Sequence, residues 1–237
     1  MIFYFTGTGN SLYAAKQLDP ELISIPQAIH RERLTFEADS IGIVCPVYGH
    51  EMPAMVKEFL RKAEFRTDYF YLVLTYGNIH GGAAELAEQE LESDGKSADY
   101  INTLKMVDNF LPGFDMKEQI AIDPEKRVDE HIAEIKADID SRRKWIQPVS
   151  EEDREWHRQF LARQAGNPAG PWKIISAGYR QMERMPGLRC LTVWGTGSAW
   201  EKGPWQKAGS TMQLISGNRI WNRAAIECLM IDDRRQL

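Results

Sequence analysis

The segment best suited to bind a ligand is Thr6-Gly-Thr-Gly-Asn-Ser11, close to the start of the chain. Its two glycines allow a tight turn and close approach of the backbone to a ligand, and Asn10 or Ser11 can cap a helix that follows. Free amides at such a helix start, together with the threonine and serine hydroxyls, can donate hydrogen bonds to a phosphate. The spacing therefore predicts a phosphate site that needs no cation. Its members are Thr6, Gly7, Thr8, Gly9, Asn10 and Ser11.

A strand and a helix must hold this segment in place. Ile2 to Phe5 is an apolar run of β-forming residues, and residues 12–18 combine helical spacing with two alanines. Two common phosphate loops do not fit, because Asn10 stands where the ATPase loop has lysine and Leu12 stands where the dinucleotide fingerprint has its third glycine. A plain glycine turn between a strand and a helix is the structural alternative.

The remaining apolar runs alternate between strand and helix patterns. Continuous runs predict further strands at residues 22–25, 40–45, 69–74 and 100–107. Helical spacing predicts helices from Pro53 to about residue 63, from Gly81 to about Gly95, and from Asp123 through Trp145. This alternation predicts an α/β fold: a doubly wound parallel sheet of five strands, complete by about residue 146, with helices on both faces.

Three loops of this fold are expected to meet at one place. In an open parallel sheet, ligands bind outside the carboxyl ends of the strands, where the strand order reverses. The loops after the first, third and fourth predicted strands converge there. Tyr48 and Tyr76 lie in the second and third loops and could stack on the two faces of a flat heterocycle, although each could equally cap the end of the sheet. The predicted members of these two loops are Pro46, Val47, Tyr48, Gly49, Thr75, Tyr76, Gly77 and Asn78.

Several stretches resemble a known family in the right order and spacing. The T-x-T-G-N-[ST] spelling resembles the FMN-phosphate loop of flavodoxins. The first eleven residues, with residues 46–53, 75–82 and 106–116, resemble bacterial proteins that join a flavodoxin domain to a 4Fe-4S ferredoxin domain. The resemblance implies a flavodoxin-like sheet of order 2-1-3-4-5, FMN as cofactor and electron transfer as activity. It assigns the FMN phosphate to the first loop and the isoalloxazine ring to the space between the other two.

Charged and titratable residues beside these loops bear on the expected chemistry. Carboxylates disfavour added negative charge on a nearby ring, so Glu51 and Asp108, if close, are expected to lower the reduction potential of a bound flavin. Replacing Glu51 with glutamine is then expected to raise the midpoint. His80 could act as a proton donor, although a loop histidine is more commonly just exposed to solvent.

The last part of the chain departs from the resembled family. That family carries two C-x-x-C-x-x-C-x-x-x-C-P runs that ligate iron–sulfur clusters, whereas only Cys190 and Cys228 remain here, so we expect no cluster in this chain. Residues 212–222 resemble the hairpin between the two runs. A Cys-Gly pair in the gene, if read out of frame, yields tryptophan beside glycine, which is the kind of pair that this tail contains. The tail is predicted to be a frameshifted or decayed ferredoxin part, with a small tryptophan-rich module as the alternative. The predicted domains are 1–148 (flavodoxin-like, FMN-binding), 149–171 (helix and linker) and 172–237 (tail).

Composition restricts the class of protein. With 237 residues, of which 43% are hydrophobic and 27% charged, the chain can bury a full core. The net charge of −5 argues against a nucleic-acid partner, no apolar stretch approaches membrane-spanning length, and Met1 leads directly into a strand with no room for a signal peptide. We therefore predict a cytoplasmic protein without a membrane span. The three cysteines and five histidines form no metal-ligand spacing, so no metal site is predicted.

Together these patterns favour an FMN-binding electron-transfer protein that works with an unidentified redox partner protein. An FMN-dependent NAD(P)H:quinone or flavin reductase on the same scaffold is one alternative. A non-catalytic module that binds a phosphorylated ligand through the same loop is another. No Ser-His-Asp or Cys-His set with local spacing indicates hydrolysis, and no catalytic residue is predicted.

Overall fold

The computed structural model describes residues 1–108 and 115–166, apart from the side chain of Met116, and the backbone of residues 205–208, 211–216 and 219–220. The chain divides into two compact units, Met1–Gly166 and Asn167–Leu237. The elements follow in chain order as β1 Ile2–Tyr4, α1 Asn10–Leu18, β2 Leu22–Ser24, α2 Ile25–Ala28, β3 Thr35–Glu37, β4 Ser40–Pro46, α3 Ala54–Lys62, β5 Glu64–Arg66, β6 Tyr69–Tyr76, α4 Ala83–Ser93, β7 Tyr100–Lys105, α5 Met116–Ile122, a 3₁₀ turn Asp123–Lys126, α6 Val128–Asp140, β8 Trp145–Ile146, α7 Glu151–Gly166, β9 Trp205–Ala208, β10 Thr211–Ser216 and β11 Arg219–Ile220.

Six parallel strands form the central sheet of the first unit, in the order β2-β1-β4-β6-β7-β8. The two middle strands, β4 and β6, are the longest and are buried along nearly their whole length. Their continuous apolar runs suit a parallel sheet that is covered on both faces. Helices α1 and α6 cover one face, and α2, α3 and α4 cover the other.

The predicted α/β class and strand order are confirmed, with one strand more than predicted. The five predicted strands correspond to β1, β2, β4, β6 and β7, and they take the order 2-1-3-4-5 of flavodoxin-like sheets. The sixth strand, β8, contains Trp145, which the apolar stripe assigns to the preceding helix. That assignment is wrong. Helix α6 ends at Asp140, Arg142 has a left-handed φ of 52°, and the Trp145 N–H donates to the carbonyl of Asp99 at 2.9 Å, which draws the chain back to the sheet.

A small second sheet lies in a region where the sequence carries little pattern. Strand β3, within residues 27–39, pairs in parallel with β5. Phe36 of β3 stacks on Phe65 of β5 with ring centroids 6.2 Å apart, and Phe36 also lies 4.5 Å from Phe3 of β1. These aromatic contacts join the small sheet to the main core. Each of these strands has a single apolar residue, Phe36 or Phe65, between two polar ones, so no apolar run marks either of them in the sequence.

The second unit contains a small antiparallel sheet in the order β11-β10-β9. The register of β10 and β11 places Ile215 opposite Ile220, so a strand pair is present where the sequence predicts a hairpin. Its kinship with ferredoxins stays a prediction, and Cys190 and Cys228 lie outside the described residues. Across the part of the chain that the structure describes, no helix has both the length and the apolar character needed to span a membrane.

The packing of Gly42 in β4 generates a first prediction. A Cβ atom at this position would lie 2.3 Å from Cζ of the buried Tyr71 ring, so we expect Gly42→Ala to lower the free energy of unfolding by about 1–3 kcal/mol through overpacking. Urea denaturation followed by circular dichroism measures the change. Gly166→Ala is the control, because a Cβ there meets no described atom within 4 Å and is expected to change stability by less than about 0.5 kcal/mol.

A double variant tests the cause of that loss. Tyr71→Leu shortens the side chain that the new methyl group would strike, so Gly42→Ala combined with Tyr71→Leu is expected to cost less than the sum of the two single changes. Strict additivity would show that the ring does not occupy the space above Gly42.

Candidate functional site

The three predicted loops follow adjacent strands of the sheet. Strands β1, β4 and β6 are neighbours in that order, and all three run in parallel, so their carboxyl ends share one edge. The N–H of Val47 donates to the carbonyl of Thr75 at 2.8 Å, and the N–H of Phe5 donates to that of Val44 at 2.9 Å. The sheet thus extends up to the start of each loop, which fixes the loops relative to one another.

Gly9 is the residue that shapes the first loop. It has a φ of 103°, which favours glycine, and it stands at the N-cap position of α1 without a side-chain cap. Its N–H donates to the Thr6 hydroxyl oxygen at 3.0 Å, which closes the turn. The prediction that Asn10 or Ser11 caps the helix is wrong, because both residues already lie within its first turn.

The side chains of Asn10 and Ser11 tie the loop to the sheet instead. The Asn10 amide donates to the carbonyl of Val107, beyond the end of β7, at 2.9 Å. The Ser11 hydroxyl lies 2.8 Å from the Thr75 hydroxyl of β6, and both residues are buried. Two loops that are distant in sequence are therefore locked together beneath the surface. Neither contact is visible in the sequence, because each depends on which strand ends beside α1.

The start of α1 retains the features expected of a phosphate site. Tyr13 is the first residue whose N–H bonds within the helix, to the Gly9 carbonyl at 2.8 Å, so the amides of residues 10–12 have no acceptor in the helix. No described atom lies within 4 Å of the position that a Cβ on Gly9 would take. The helix dipole and these amides favour an anion in that space. The loop therefore fits a phosphate through its backbone.

The second loop is a tight turn whose geometry depends on two residues with left-handed backbone. Tyr48 and Glu51 pair across it through hydrogen bonds of 2.8 and 3.2 Å, and Gly49 and His50 between them have φ values of 61° and 74°. Two central residues with positive φ are typical of such two-residue turns. The half-buried Tyr48 ring meets Phe5 edge-on at 6.4 Å. Pro46, at the start of the predicted loop, is the last residue of β4.

The third loop begins later than predicted, because Thr75 and Tyr76 are still part of β6. The Tyr76 ring lies edge-on to His80 at 5.0 Å, and burial raises the pKa of its phenol, while its hydrogen bond to the Thr103 side chain acts the other way. Tyr48 and Tyr76 thus pack against different neighbours. Gly77 lies against Asp108, and a Cβ on it would be 2.4 Å from the carboxyl carbon.

His80 is held in place rather than being an exposed loop histidine. Its Nδ1 accepts a hydrogen bond from the Gly82 N–H at 3.3 Å, and its Nε2 lies 3.6 Å from a carboxylate oxygen of Asp153. Burial lowers the pKa of His80, and the charge of Asp153 opposes that effect. The ring is therefore oriented from both sides.

A cleft of about 970 Å³ opens beside the third loop. Residues 76–78 line part of it, together with residues of β7, α5, the 3₁₀ turn and α6 and with Arg143, Trp145 and Gln147. Among the described residues, β8 pairs only with Tyr100 and Ile101, so β7 has no described strand on its outer side beyond Ile101. The Gln147 side chain occupies that edge, where its Oε1 accepts from the N–H and the hydroxyl of Thr103 at 2.8 and 2.7 Å.

The carboxylate of Glu51 is paired, which changes the expected electrostatics. Lys57 of α3 lies 2.6 Å from Glu51 and 3.2 Å from Glu90. Burial disfavours the ammonium, but its hydrogen bonds to the two carboxylates outweigh that effect and raise the pKa of Lys57. The lysine therefore partly cancels the charge that the sequence assigns to this position. In the described residues, no group of three or more His, Cys, Asp or Glu side chains is arranged to hold a metal ion.

Helix α7 is the element near these loops whose position the sequence does not predict. The sequence predicts only a helix and a linker over residues 149–171, yet Asp153, His157 and Phe160 of α7 face the second and third loops. These residues recur at a spacing of four and three, which places them on one face of a helix. Two of the three are polar, so the sequence of α7 shows no apolar stripe. The face of the helix that contacts the loops therefore cannot be recognised from the sequence.

Comparisons with known proteins are sparse. No protein-family model matches the chain, and no curated protein matches it. Among solved structures, it is similar to rubredoxin oxygen:oxidoreductase from the anaerobe Desulfovibrio gigas, with 12% identity over 57% of this chain and a TM-score of 0.34. It covers 36% of that chain. A candidate flavoprotein from Bacteroides uniformis is 13% identical over 50% of this chain and 93% of its own, with a TM-score of 0.32.

The buried hydroxyl pair of Ser11 and Thr75 generates the second prediction. Ser11→Ala and Thr75→Val each leave one buried hydroxyl without its partner, so we expect each to lower the free energy of unfolding by about 1–3 kcal/mol. The double variant removes both polar groups and is expected to cost less than the sum of the two by about 1 kcal/mol. Urea denaturation of all four proteins gives the coupling energy.

The exposed hydrogen bond between Tyr13 and Asp129 provides the control for that cycle. Its donor and acceptor lie 2.6 Å apart on the surface, so Tyr13→Phe is expected to change stability by less than about 1 kcal/mol. A coupling energy of zero between Ser11 and Thr75 would mean that the two hydroxyls do not bond. The first and third loops would then not be held together by this pair.

Proposed function

We propose that residues 1–166 form an FMN-binding redox domain and that the chain transfers electrons to or from a partner protein. The observation that carries this proposal is the meeting of three loops at the carboxyl ends of β1, β4 and β6, with open space at Gly9 and with amides at the start of α1 that have no acceptor within the helix. Ligands of flavodoxin-like sheets bind at this edge. The resemblance of the loop sequences to flavodoxins gives the cofactor its proposed identity.

Each loop has a distinct role in this proposal. The backbone amides at the start of α1, with the hydroxyls of Thr6 and Thr8, would bind the phosphate. Residues 46–49 and 75–78 would frame the ring. When bound, FMN supplies one- or two-electron transfer, and the protein sets its position and its potential. The chain orients these groups through the hydroxyl pair of Ser11 and Thr75 and through the Tyr48–Glu51 turn.

The cleft beside residues 76–78 favours a second candidate function. A volume of about 970 Å³ is of the size that small-molecule sites have, and part of its lining belongs to the third loop. A substrate bound there would lie next to the proposed ring, as an FMN-dependent NAD(P)H:quinone or flavin reductase requires. Steady turnover of NAD(P)H by the FMN-loaded protein would favour this function over the carrier.

The proposed phosphate site generates the third prediction. The purified chain is expected to bind one FMN, seen as a two-banded flavin absorption spectrum and as quenching of FMN fluorescence on titration. Gly9→Val forces a β-branched residue into a φ of 103° and fills the space above the loop, so the affinity for FMN is expected to fall at least tenfold. The affinity for riboflavin, which has no phosphate, is expected to change much less.

Gly95→Val is the matched control for this test. Gly95 also has a left-handed φ, 69°, and open space at its Cβ position, but it lies at the end of α4. Both variants introduce the same kind of backbone strain. A larger loss of FMN affinity in Gly9→Val would therefore come from the position of Gly9 in the first loop. Equal loss of FMN affinity in both would contradict the proposed site, and a colourless protein that takes up no FMN would contradict the proposed cofactor.

The Glu51–Lys57–Glu90 group generates the fourth prediction. Glu51→Gln removes a negative charge near the second loop and is expected to raise the reduction midpoint of bound FMN, whereas Lys57→Met leaves two carboxylates uncompensated and is expected to lower it. Lys62→Met on the same helix removes the same charge from an exposed pair with Glu58, and its effect is expected to be smaller. Dye-coupled titration measures these midpoints. An equal shift in both lysine variants would show that Glu51 and Lys57 have no specific effect on the potential.

A further inference from the structure

Helix α7 lies directly on the second loop. A Cβ on Gly49 would be 2.8 Å from Cζ of Phe160, so only glycine leaves room for that ring. The ring of His50 lies 4.9 Å from Phe160 and 5.6 Å from His157, measured between centroids. Both residues with left-handed backbone in the turn are therefore covered by the same helix. The contact reaches the third loop as well, through Asp153 and His80.

The first turn of α7 is anchored independently of these loops. Ser150 and Asp153 form a reciprocal cap, in which the Ser150 hydroxyl donates at 2.6 Å and the Asp153 N–H donates back at 3.1 Å. Arg154 binds the carboxylate of Glu85 on α4 through two nitrogens, at 2.9 and 2.6 Å. Since this turn is fixed to α4, release of the loop contacts would not require the whole helix to detach.

The contact between the helix and the second loop buries two imidazole groups. The Nδ1 atoms of His50 and His157 are both buried and have no hydrogen-bond partner among the described residues. Burial, and then the positive charges of His157, His80 and Arg163, lower the pKa of His50 to about 4, and only Glu51 acts the other way. The His50 ring is therefore favoured in its neutral form while the helix covers it.

We propose that helix α7 is a clamp on the second loop: Phe160 and His157 are positioning residues that hold residues 48–51 in the conformation that binds the cofactor, and acid releases them by protonating His50. The part that concerns the cofactor rests on the proposed function. The clamp itself depends only on the contacts within this chain. Helix α7, which is not part of the three loops, would then contribute to the candidate site.

The direction of the pH effect follows from the protonation of His50. In the clamped state the pKa of His50 is about 4, and in an open state it returns toward its ordinary value near 6.5. Opening therefore takes up a proton, so clamping is complete above pH 6.5 and weakens as the pH falls toward 4. Each pH unit in this window lowers the ratio of clamped to open protein by up to about tenfold for one proton. The charge of Asp153 favours protonated His80, but burial outweighs it and lowers the pKa of His80 as well, so His80 does not reverse this trend.

Hydrogen exchange in the FMN-free protein tests the clamp directly. The N–H groups of Tyr48 and Glu51 are bonded across the turn, so their protection reports its stability. At neutral pH we expect Phe160→Ala to lower protection of residues 48–51 by about tenfold or more, and Phe160→Leu to restore most of it. Leu161→Ala is the control, because this neighbouring side chain is exposed. Equal protection in the alanine variants at 160 and 161 would overturn the proposal.

The same measurement at lower pH tests the release. After correction for intrinsic exchange rates, protection of residues 48–51 in the natural chain is expected to fall between pH 6.5 and 4.5. His50→Asn combined with His157→Phe removes both imidazole rings from the contact, and asparagine tolerates the left-handed backbone at position 50. In that variant protection is expected to stay constant with pH. A fall of the same size in the variant would overturn the acid release.

FMN titration of the same proteins separates the two proposals. We expect Phe160→Ala to weaken FMN binding at neutral pH by about fivefold or more, and Leu161→Ala to leave it unchanged. If the exchange results hold and no variant binds FMN, the clamp stands and the proposed function fails. If the natural chain binds FMN and Phe160→Ala binds it equally well, the proposed function stands and the positioning role of Phe160 is overturned.

Discussion

The buried hydrogen bond between Ser11 and Thr75 is the contact on which the candidate site most depends. It joins the first turn of α1 to the end of β6, two strands away in the sheet, so the first and third loops share one rigid floor. Because both hydroxyls are buried, each would be costly to leave unpaired, and the pair therefore fixes the rotation of α1 about its axis. The amides at the helix start then point in a set direction. The proposed phosphate site would need such a fixed helix, since backbone amides cannot adapt as a long side chain can.

The sequence is informative where burial imposes a pattern over several residues. The long apolar runs of β4 and β6 and the helical stripes of α3 and α4 are readable, because each must face a core on a fixed side. Strands β3 and β5 are not, since each has one phenylalanine between two polar residues, and β8 is not, since it has only two residues. Trp145 illustrates the second case: its spacing suits the stripe of α6, but the turn at Arg142 takes it to the sheet.

The sequence predicts where the three loops of the candidate site lie, but it does not predict which residues their side chains contact. The glycines and tyrosines mark where the chain turns at a sheet edge, and that follows from local composition. What each side chain touches depends on elements brought from far along the chain: Lys57 meets Glu51 and Glu90, Thr103 meets Tyr76, and α7 covers Gly49. The contact with Lys57, for example, weakens the negative charge that Glu51 alone suggests. Electrostatic arguments from sequence therefore require knowledge of neighbours that only the fold provides.

The short sixth strand has a consequence for association between molecules. An outer strand normally presents unpaired N–H and C=O groups to which a strand of another chain can add. Here β8 covers Tyr100 and Ile101, and the amide oxygen of Gln147 takes the next outward N–H, that of Thr103, where a neighbouring carbonyl would otherwise bind. The Gln147 side chain thus accepts the hydrogen bond that the backbone carbonyl of a longer β8 would accept. An incoming β-strand would have to displace Gln147 first, so this edge is guarded against edge-to-edge aggregation.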